Sequence, residues 1–540
     1  MLSRRASGIL LHPTSLPGPW GSGDLGPAAH EFLEALAACG QSWWQMLPVV
    51  PAGAGASPYS ARSVFAGEPL LVSPEALVEA GYLASGDLKP PRLPGGRADF
   101  ESAWRAKRPL FELAFDAFER GASSGARRAF ESFRAENASW LEDYALFAAL
   151  REIHDDASWI GWEKPLRRRE RRALESARRS LAREIRFHAF VQHQFALQWE
   201  SLRARARALG VGLIGDIPIF VAHDSAEVWA HQELFQLDPE GRSIAVAGVP
   251  PDYFSRTGQL WGNPLYRWDV MRRRGYKWWI ARFKSAFTRF DAVRLDHFIG
   301  FHNYWEIPAD APTAEAGRWV PGPGEDLFLR VKEALGPLAL IAEDLGVVTR
   351  GVKDLRGRLG FPGIRVMQMA FGTDPEAESY RPHNYPEDCV AYTGTHDNDT
   401  TLGWFRDDGG KSSTRTRAEI ERERAAALRY TGRDGREVNW DFIRLIFASR
   451  ANTAIVPMQD ILGLGSQARM NLPGTAEGNW RWRMKEGALT PKLSRRLAEM
   501  TAEAGRRPKK SRGEILRTAP QARSRARSAA APASAPRRTR

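Results

Sequence analysis

The 540-residue sequence predicts an α/β fold, a (β/α)8 TIM barrel with largely helical insertions between its strands. Three observations carry that prediction. Eight short apolar, β-prone runs each end in polar or charged residues, as strands of a parallel sheet buried on both faces do. Stretches of helical periodicity lie between most of these runs, and alternation of strand and helix is the pattern of a parallel sheet. Charged side chains gather at the ends of the runs, where a barrel of this class places its chemistry.

Taken in order, the first run is residues 7–16, "SGILLHPTSL", followed by a helical stretch at 27–39. The second run is 42–51, "SWWQMLPVVP". Residues 52–210 are too long for one crossover, so they are expected to form an insertion: a loop, then helices at 99–120, 125–150 and 167–207. The third run, 211–221, leads into a second insertion at 222–289, read as a long Gly/Pro/aromatic loop and one helix at 274–288. The fourth run is 290–298, "FDAVRLDHF", with a helix at 324–335 before the fifth at 338–346. Runs at 363–371 and 389–397 follow, then a helix at 438–451 and the eighth run at 453–462. Beyond it only loop, one short helix and a tail remain, so no C-terminal β-domain is expected. No internal repeat is found. The expected division is a catalytic body over residues 1–505 and a disordered basic tail over 506–540.

Composition excludes several classes. At 43% hydrophobic residues the chain can bury a sizeable core and is not a disordered protein. No run of eighteen apolar residues is present, and the first apolar patch is too short for a signal segment. The chain is therefore expected in the cytoplasm. The two cysteines, Cys39 and Cys389, form no disulfide framework and lack metal-ligand spacing. The net charge of +13 is unevenly spread: residues 506–540 carry twelve Lys/Arg against one acid, which leaves about +2 on the rest. That tail is rich in Arg, Ala, Ser and Pro, so it suits weak contact with nucleic acid and says nothing about the body's chemistry. A second basic run at 164–186 has interleaved acids at helical spacing and reads as a solvated helix face.

The strand ends bring forward Asp216, Arg294, Asp296, Glu343, Asp344, His396 and Asp397. A single carboxylate there is ordinarily a salt bridge or a helix cap. Several, each after an apolar run, are another matter, because an unpaired buried carboxylate is costly. Arg294 and Asp296 stand two apart and so share one face of a strand. Convergent carboxylates at barrel-strand ends suit acid/base and nucleophilic work of the glycoside kind. Nineteen tryptophans point the same way, since aromatic faces suit pyranose rings. Trp20, Trp261, Trp404, Trp480 and Trp482 fall in predicted loops, whereas Trp43, Trp44, Trp278 and Trp279 read as core.

At the level of motifs the chain resembles the 4-α-glucanotransferases (amylomaltase, or disproportionating enzyme) of glycoside hydrolase family 77, in the α-amylase clan. The resemblance covers roughly residues 5–500 and rests on "GILLHPTSLPG", "QMLPVVPAGAGASPYS", "GDIPIFVAHDSAEVW", "PPDYFSRTGQLWGNPLY", "RLDHFIGF", "GRWVPGPGEDLF", "IAEDLGVVT", "FPGIRVMQMAF" and "YTGTHDNDTTLGW". It implies transfer of an α-1,4-glucan segment to an acceptor sugar through a covalent β-glycosyl-enzyme. In that reading Asp296 is the nucleophile, Glu343 the general acid and then base, and Asp397 the stabiliser of the oxocarbenium-like transition state. Arg294 would hold Asp296, since a guanidinium favours the charged form of a carboxylate beside it. Asp344 beside Glu343 would raise the pKa of the proton donor. His396, Asp216, Tyr59 and Ser57 are expected around the donor sugar, with Tyr59 stacking on it. Trp261, Asn263 and Pro264 are expected on the acceptor side, under a segment at 248–263 that acts as a lid.

Two features separate the chain from hydrolytic amylases. Pro218 and Ile219 stand where the clan usually has an Asn-His pair, and no all-β domain follows the barrel. Transfer to a sugar rather than to water is favoured. A hydrolase or debranching enzyme of the same clan is the alternative, and a non-catalytic glucan-binding protein a third reading. The expected partners are α-1,4-glucans and maltooligosaccharides. Neither a cofactor nor a metal is implied.

Overall fold

The computed structural model describes residues 2–93, 95–251, 257–346, 348–410, 413 and 415–508. Twelve strands occur among them: β1 (Ala6–Leu10), β2 (Trp43–Gln45), β3 (Gly212–Pro218), β4 (Ala245–Val249), β5 (Gln259–Pro264), β6 (Ala292–Asp296), β7 (Asn303–Pro308), β8 (Arg318–Pro321), β9 (Leu340–Ala342), β10 (Gly363–Val366), β11 (Cys389–Tyr392) and β12 (Thr453–Pro457). Eight of them close a barrel in the order β1-β12-β11-β10-β9-β6-β3-β2, and each pairing is parallel. These eight fall in the eight apolar runs, β1 starting one residue ahead of its run at Ala6. Their residues are almost all buried, because helices cover the outside and side chains fill the inside.

The covering helices follow from simple local rules. Pro27–Ala38 starts with proline at its first position, where no N–H is needed, and buries Ala29, Phe32, Leu33 and Leu36 as one stripe. In the first insertion, Phe100–Gly121, Ser124–Glu136, Ala138–Ile153, Arg171–Ser180 and Ala182–Ala208 form a helical layer. The basic run there is a solvated face: Arg171–Ser180 buries only Leu174 and Ala177. Arg183 pairs with Asp116, and Arg186 with Glu119 and Glu131.

The structure departs from the sequence reading in three places. The insertions are not wholly helical: β5-β4-β7-β8 form an antiparallel sheet beside the barrel mouth. Its strands come from the segment read as loop and from the connection after β6. A small apolar cluster of Val246, Ile307 and Ala314 packs on one face of this sheet. Of the segment read as a lid, residues 252–256 lie outside the described residues.

Second, the body does not end at Gly505. The compact unit runs to Arg507, and the Arg506 side chain is fully buried. Its guanidinium donates to the carbonyls of Ala6 at 2.8 Å, Phe447 at 2.8 Å and Ala451 at 2.8 Å, and also to Ile446, Ser449 and Asn452. Those carbonyls belong to the last turn of helix Val438–Ala448 and to the start of the β1/β12 seam. A helix C-terminus leaves its last carbonyls unsatisfied, and a planar fork of five N–H groups can serve several. The rest of the predicted tail, from 509 onward, lies outside the described residues.

Third, most of the loop tryptophans are core. Trp20, Trp404, Trp480 and Trp482 are buried, and only Trp261 of that group is substantially exposed. Trp20 donates to Glu75 at 2.8 Å, and Trp404 packs on Phe371 and Phe442. Among the described residues no helix is long and apolar enough to cross a membrane.

Candidate active site

The register of β3 against β6 builds the centre of the site. Asp216 lies opposite Arg294, and Pro218 opposite Asp296. The guanidinium therefore meets two carboxylates. Its Nη1 donates to both oxygens of Asp216, at 3.0 and 2.8 Å, and to Oδ1 of Asp296 at 2.8 Å. The Asp216 side chain is fully shielded, whereas Asp296 keeps 26% of its side chain exposed toward the barrel mouth. Burial works against the charge of Arg294, but Asp216 and Asp296 outweigh it and raise its pKa well above the ordinary value. Burial pushes the Asp216 pKa up, opposed by Arg294.

Tyr59 completes this cluster. Its hydroxyl donates to Asp216 Oδ2 at 2.8 Å. Burial and the Asp216 charge raise the phenol far above its usual range, so it remains a neutral donor. The Ser57 hydroxyl accepts from the Tyr59 N–H at 3.2 Å and shapes the turn. One face of the Tyr59 ring is taken by His396, stacked at 5.1 Å, and Trp480 leans on both rings.

Glu343 sits just past β9. Its Oε2 accepts from the His297 N–H at 2.7 Å, and its Oε1 from Leu345 N–H at 3.3 Å. Burial raises its pKa to about 8; Arg294 opposes the rise, and Asp296 adds to it. The adjacent Asp344 is the smallest of these influences. Its carboxylate is turned away, toward the Ile364 N–H at 2.8 Å and Arg356 at 3.2 Å. The sequence reading had placed the effect on Asp344; desolvation is the larger cause.

Asp397 lies on the opposite side of the mouth, with 41% of its side chain exposed. Asn471 donates to its Oδ1 at 2.7 Å, and His396 Nε2 stands 3.3 Å from its Oδ2. Arg469 holds the Asp397 carbonyl at 2.7 Å. Asn471 and His297 join the candidate site without having been named by the sequence reading, which had brought forward Trp480 only as one of several loop tryptophans. Nothing in the local sequence marks Asn471, which is 74 residues from its partner.

The antiparallel sheet supplies the remaining wall. Trp261 on β5 is 38% exposed and meets the His297 ring edge-on at 4.9 Å. Asn263 ties β5 to the start of the third barrel connection, just after β3, by donating to the Val221 carbonyl at 2.9 Å. Pro264 is buried and pairs with Val246 in the sheet. These two residues therefore anchor the wall that carries Trp261.

A family profile described as 4-alpha-glucanotransferase matches residues 11–490. The 4-alpha-glucanotransferase of Thermus thermophilus is 51% identical over 511 residues, covering 93% of this chain and 99% of its own. The chloroplastic/amyloplastic 4-alpha-glucanotransferase of Solanum tuberosum is 42% identical, covering 93% of this chain and 87% of its own. A solved amylomaltase from Streptococcus agalactiae, in complex with acarbose, superposes with a TM-score of 0.88 at 37% identity, over 94% of this chain and 100% of that one. The chain belongs to the 4-alpha-glucanotransferase family, glycoside hydrolase family 77.

Proposed function

We propose that Asp296 is the nucleophile and Glu343 the acid and base of this 4-α-glucanotransferase, which moves a segment of an α-1,4-glucan to the 4-hydroxyl of an acceptor glucan or glucose. The observation that carries the assignment is the contrast between the two carboxyl groups. Asp296 is ion-paired to Arg294 and open to the mouth, whereas Glu343 is buried with its pKa raised to about 8. A nucleophile and a proton donor need these opposite states at one pH.

In the first step an Asp296 oxygen attacks the anomeric carbon of the donor. The bond to the leaving O4 breaks as Glu343 delivers its proton to that oxygen. In the second step Glu343, now a carboxylate, takes the proton of the acceptor hydroxyl, whose oxygen displaces Asp296. Two inversions retain the α configuration. Asp397, oriented by Asn471, faces the charge that develops on the sugar, and His396, Asp216 and Tyr59 shape the donor side. Exclusion of water makes the second step a transfer. Trp261 supports an apolar platform for the acceptor.

The substrates are α-1,4-glucans and maltooligosaccharides, and the basic tail contributes at most a weak, salt-sensitive contact with nucleic acid. Both cysteines are buried and unpaired, which suits a reducing cytoplasmic location. Incubation with maltotriose, followed by chromatography, tests the reading. Transfer gives glucose and a ladder of longer oligosaccharides at constant reducing ends. A steady rise in reducing ends would instead identify a hydrolase.

A further inference from the structure

We infer that His297 is a positioning residue, whose left-handed backbone, locked between Gly300 and Trp261, aims the peptide N–H that holds Glu343 Oε2. The inference rests on the assignment of Glu343 as acid and base. His297 has φ +51, a left-handed conformation that few non-glycine residues adopt, asparagine, aspartate and histidine more often than the rest. Phe298, next in line, is right-handed at φ −53. Successive residues of opposite hand turn their N–H groups toward one side of the chain. Both N–H groups meet the same residue: His297 donates to Glu343 Oε2 at 2.7 Å, and Phe298 to the Glu343 carbonyl at 3.1 Å. The turn after the nucleophile is wrapped around the proton donor.

Among the described residues the imidazole has no hydrogen bond that would explain its place. Its Nε2 is shielded and has no partner among the described residues. Burial lowers its pKa to about 4, so the ring is neutral. What surrounds it is packing. Trp261 meets the ring at 87°. A Cβ on Gly300 would lie 3.0 Å from the ring's Cδ2 and 2.9 Å from Ile219 Cδ1, so any larger residue there presses on the ring. The ring thus keeps the strained backbone from relaxing. With Oε2 fixed by the 2.7 Å bond, the mobile proton belongs on Oε1, which has the longer 3.3 Å contact.

An N–H donated to a carboxylate favours the charged form. Loss of this bond therefore raises the Glu343 pKa further and moves the alkaline limb of kcat/KM to higher pH. The experiment compares His297→Val, His297→Asn and His297→Gly on maltotriose across pH, with melting curves for each. A β-branched residue opposes the left-handed backbone, so His297→Val is expected to lose about five- to thirtyfold in kcat/KM, with the limb displaced upward. Asparagine and glycine tolerate this backbone and should recover most of that loss. Gly300→Ala presses on the ring from the other side and should displace the limb in the same direction. It keeps the test open if His297→Val does not fold. A parental rate and pH profile in His297→Val, or in a folded Gly300→Ala, would overturn the inference, as would Asn and Gly variants as defective as Val. Glu343→Gln separates the two levels. Retained transfer there removes the acid assignment itself, whereas an inactive Glu343→Gln beside a parental His297→Val removes only the positioning role.

Discussion

Cutting the chain on either side of Arg506 tests how the barrel seam is held. One truncation ends at Pro508 and keeps the buried guanidinium; the other ends at Gly505 and removes it. The difference between them is three residues, of which Arg507 and Pro508 are exposed. Without Arg506, six carbonyls from Ala6, Ile446, Phe447, Ser449, Ala451 and Asn452 lose a donor. A buried acceptor left unsatisfied costs about 1–3 kcal/mol, but these share one guanidinium and water can reach some after the cut, so roughly 3–6 kcal/mol in all is expected. Four of the six keep another donor, Arg5 serving the Phe447 and Ser449 carbonyls, the Ala6 N–H that of Asn452 and the Ser449 hydroxyl that of Ile446, each at 2.7 Å, which places the loss toward the lower end of that range.

The body of 507 residues unfolds with an entropy of about 2.1 cal/mol/K per residue, so 1 kcal/mol moves the midpoint by about 1 °C. The cut at Gly505 should therefore lower Tm by about 3–6 °C, and the cut at Pro508 by less than about 1 °C. The assay is differential scanning calorimetry of both truncations at one scan rate, with maltotriose transfer measured at 25 °C. Activity at that temperature should be near parental in both, because the seam lies at the end of the barrel away from Asp296 and Glu343. Equal midpoints for the two truncations would refute the argument that this arginine clamps the seam.

Three further outcomes follow from the site. Asp296→Asn keeps the shape of the side chain but cannot form the glycosyl ester, so the transfer rate should fall by more than roughly 10³ with the melting curve preserved. The alkaline limb of kcat/KM should lie near pH 8, because in the proposed reaction Glu343 carries the proton that starts it and its pKa is raised to about 8; a limb below pH 6 would contradict this. Glu343→Gln should be more stable than the parent. The folded carboxyl holds its proton up to about pH 8 and the unfolded one only to its ordinary value of 4.5, so parental stability declines as pH rises between them. The variant's gain should be absent at pH 4 and reach on the order of 2–4 kcal/mol by pH 8, read from denaturant midpoints at each pH.

The eight barrel strands were legible because burial on both faces writes them as continuous apolar runs, even where the strand itself is only three residues, as in β2 and β9. The antiparallel sheet was not. Its strand β4 reads "AVAGV", too small and uniform to show alternation, and β5 carries Gly262 and Pro264, which read as loop. Arg506 was counted as tail charge because its partners are backbone carbonyls, and a sequence does not display where those are left unpaired. The i, i+2 spacing of Arg294 and Asp296 was visible, but Asp216, 78 residues away, takes two of the three bonds of the same guanidinium. Asp344 looked like the neighbour that tunes Glu343; only the fold shows that Arg356 and the Ile364 N–H already hold it.

The sharing of Arg294 explains how a carboxylate can be held in place and still react. A guanidinium given to Asp296 alone would neutralise the proposed nucleophile and occupy it. Here Nη1 is divided among three oxygens, and Asp216, whose side chain is wholly shielded, takes both of the bonds that Asp296 does not. Tyr59 donates to Asp216 as well, which further satisfies the buried partner without adding charge. Of the two carboxyl groups that share the guanidinium, Asp296 is the member that faces the mouth. Among the described residues the guanidinium engages only Oδ1 of Asp296, so Oδ2 is the oxygen placed to attack in the proposed reaction. Replacing a buried ion pair by apolar groups often costs little stability, so stability alone does not account for a triad here. Its arrangement is accounted for by the need to keep one carboxylate oriented, paired and uncovered inside a barrel.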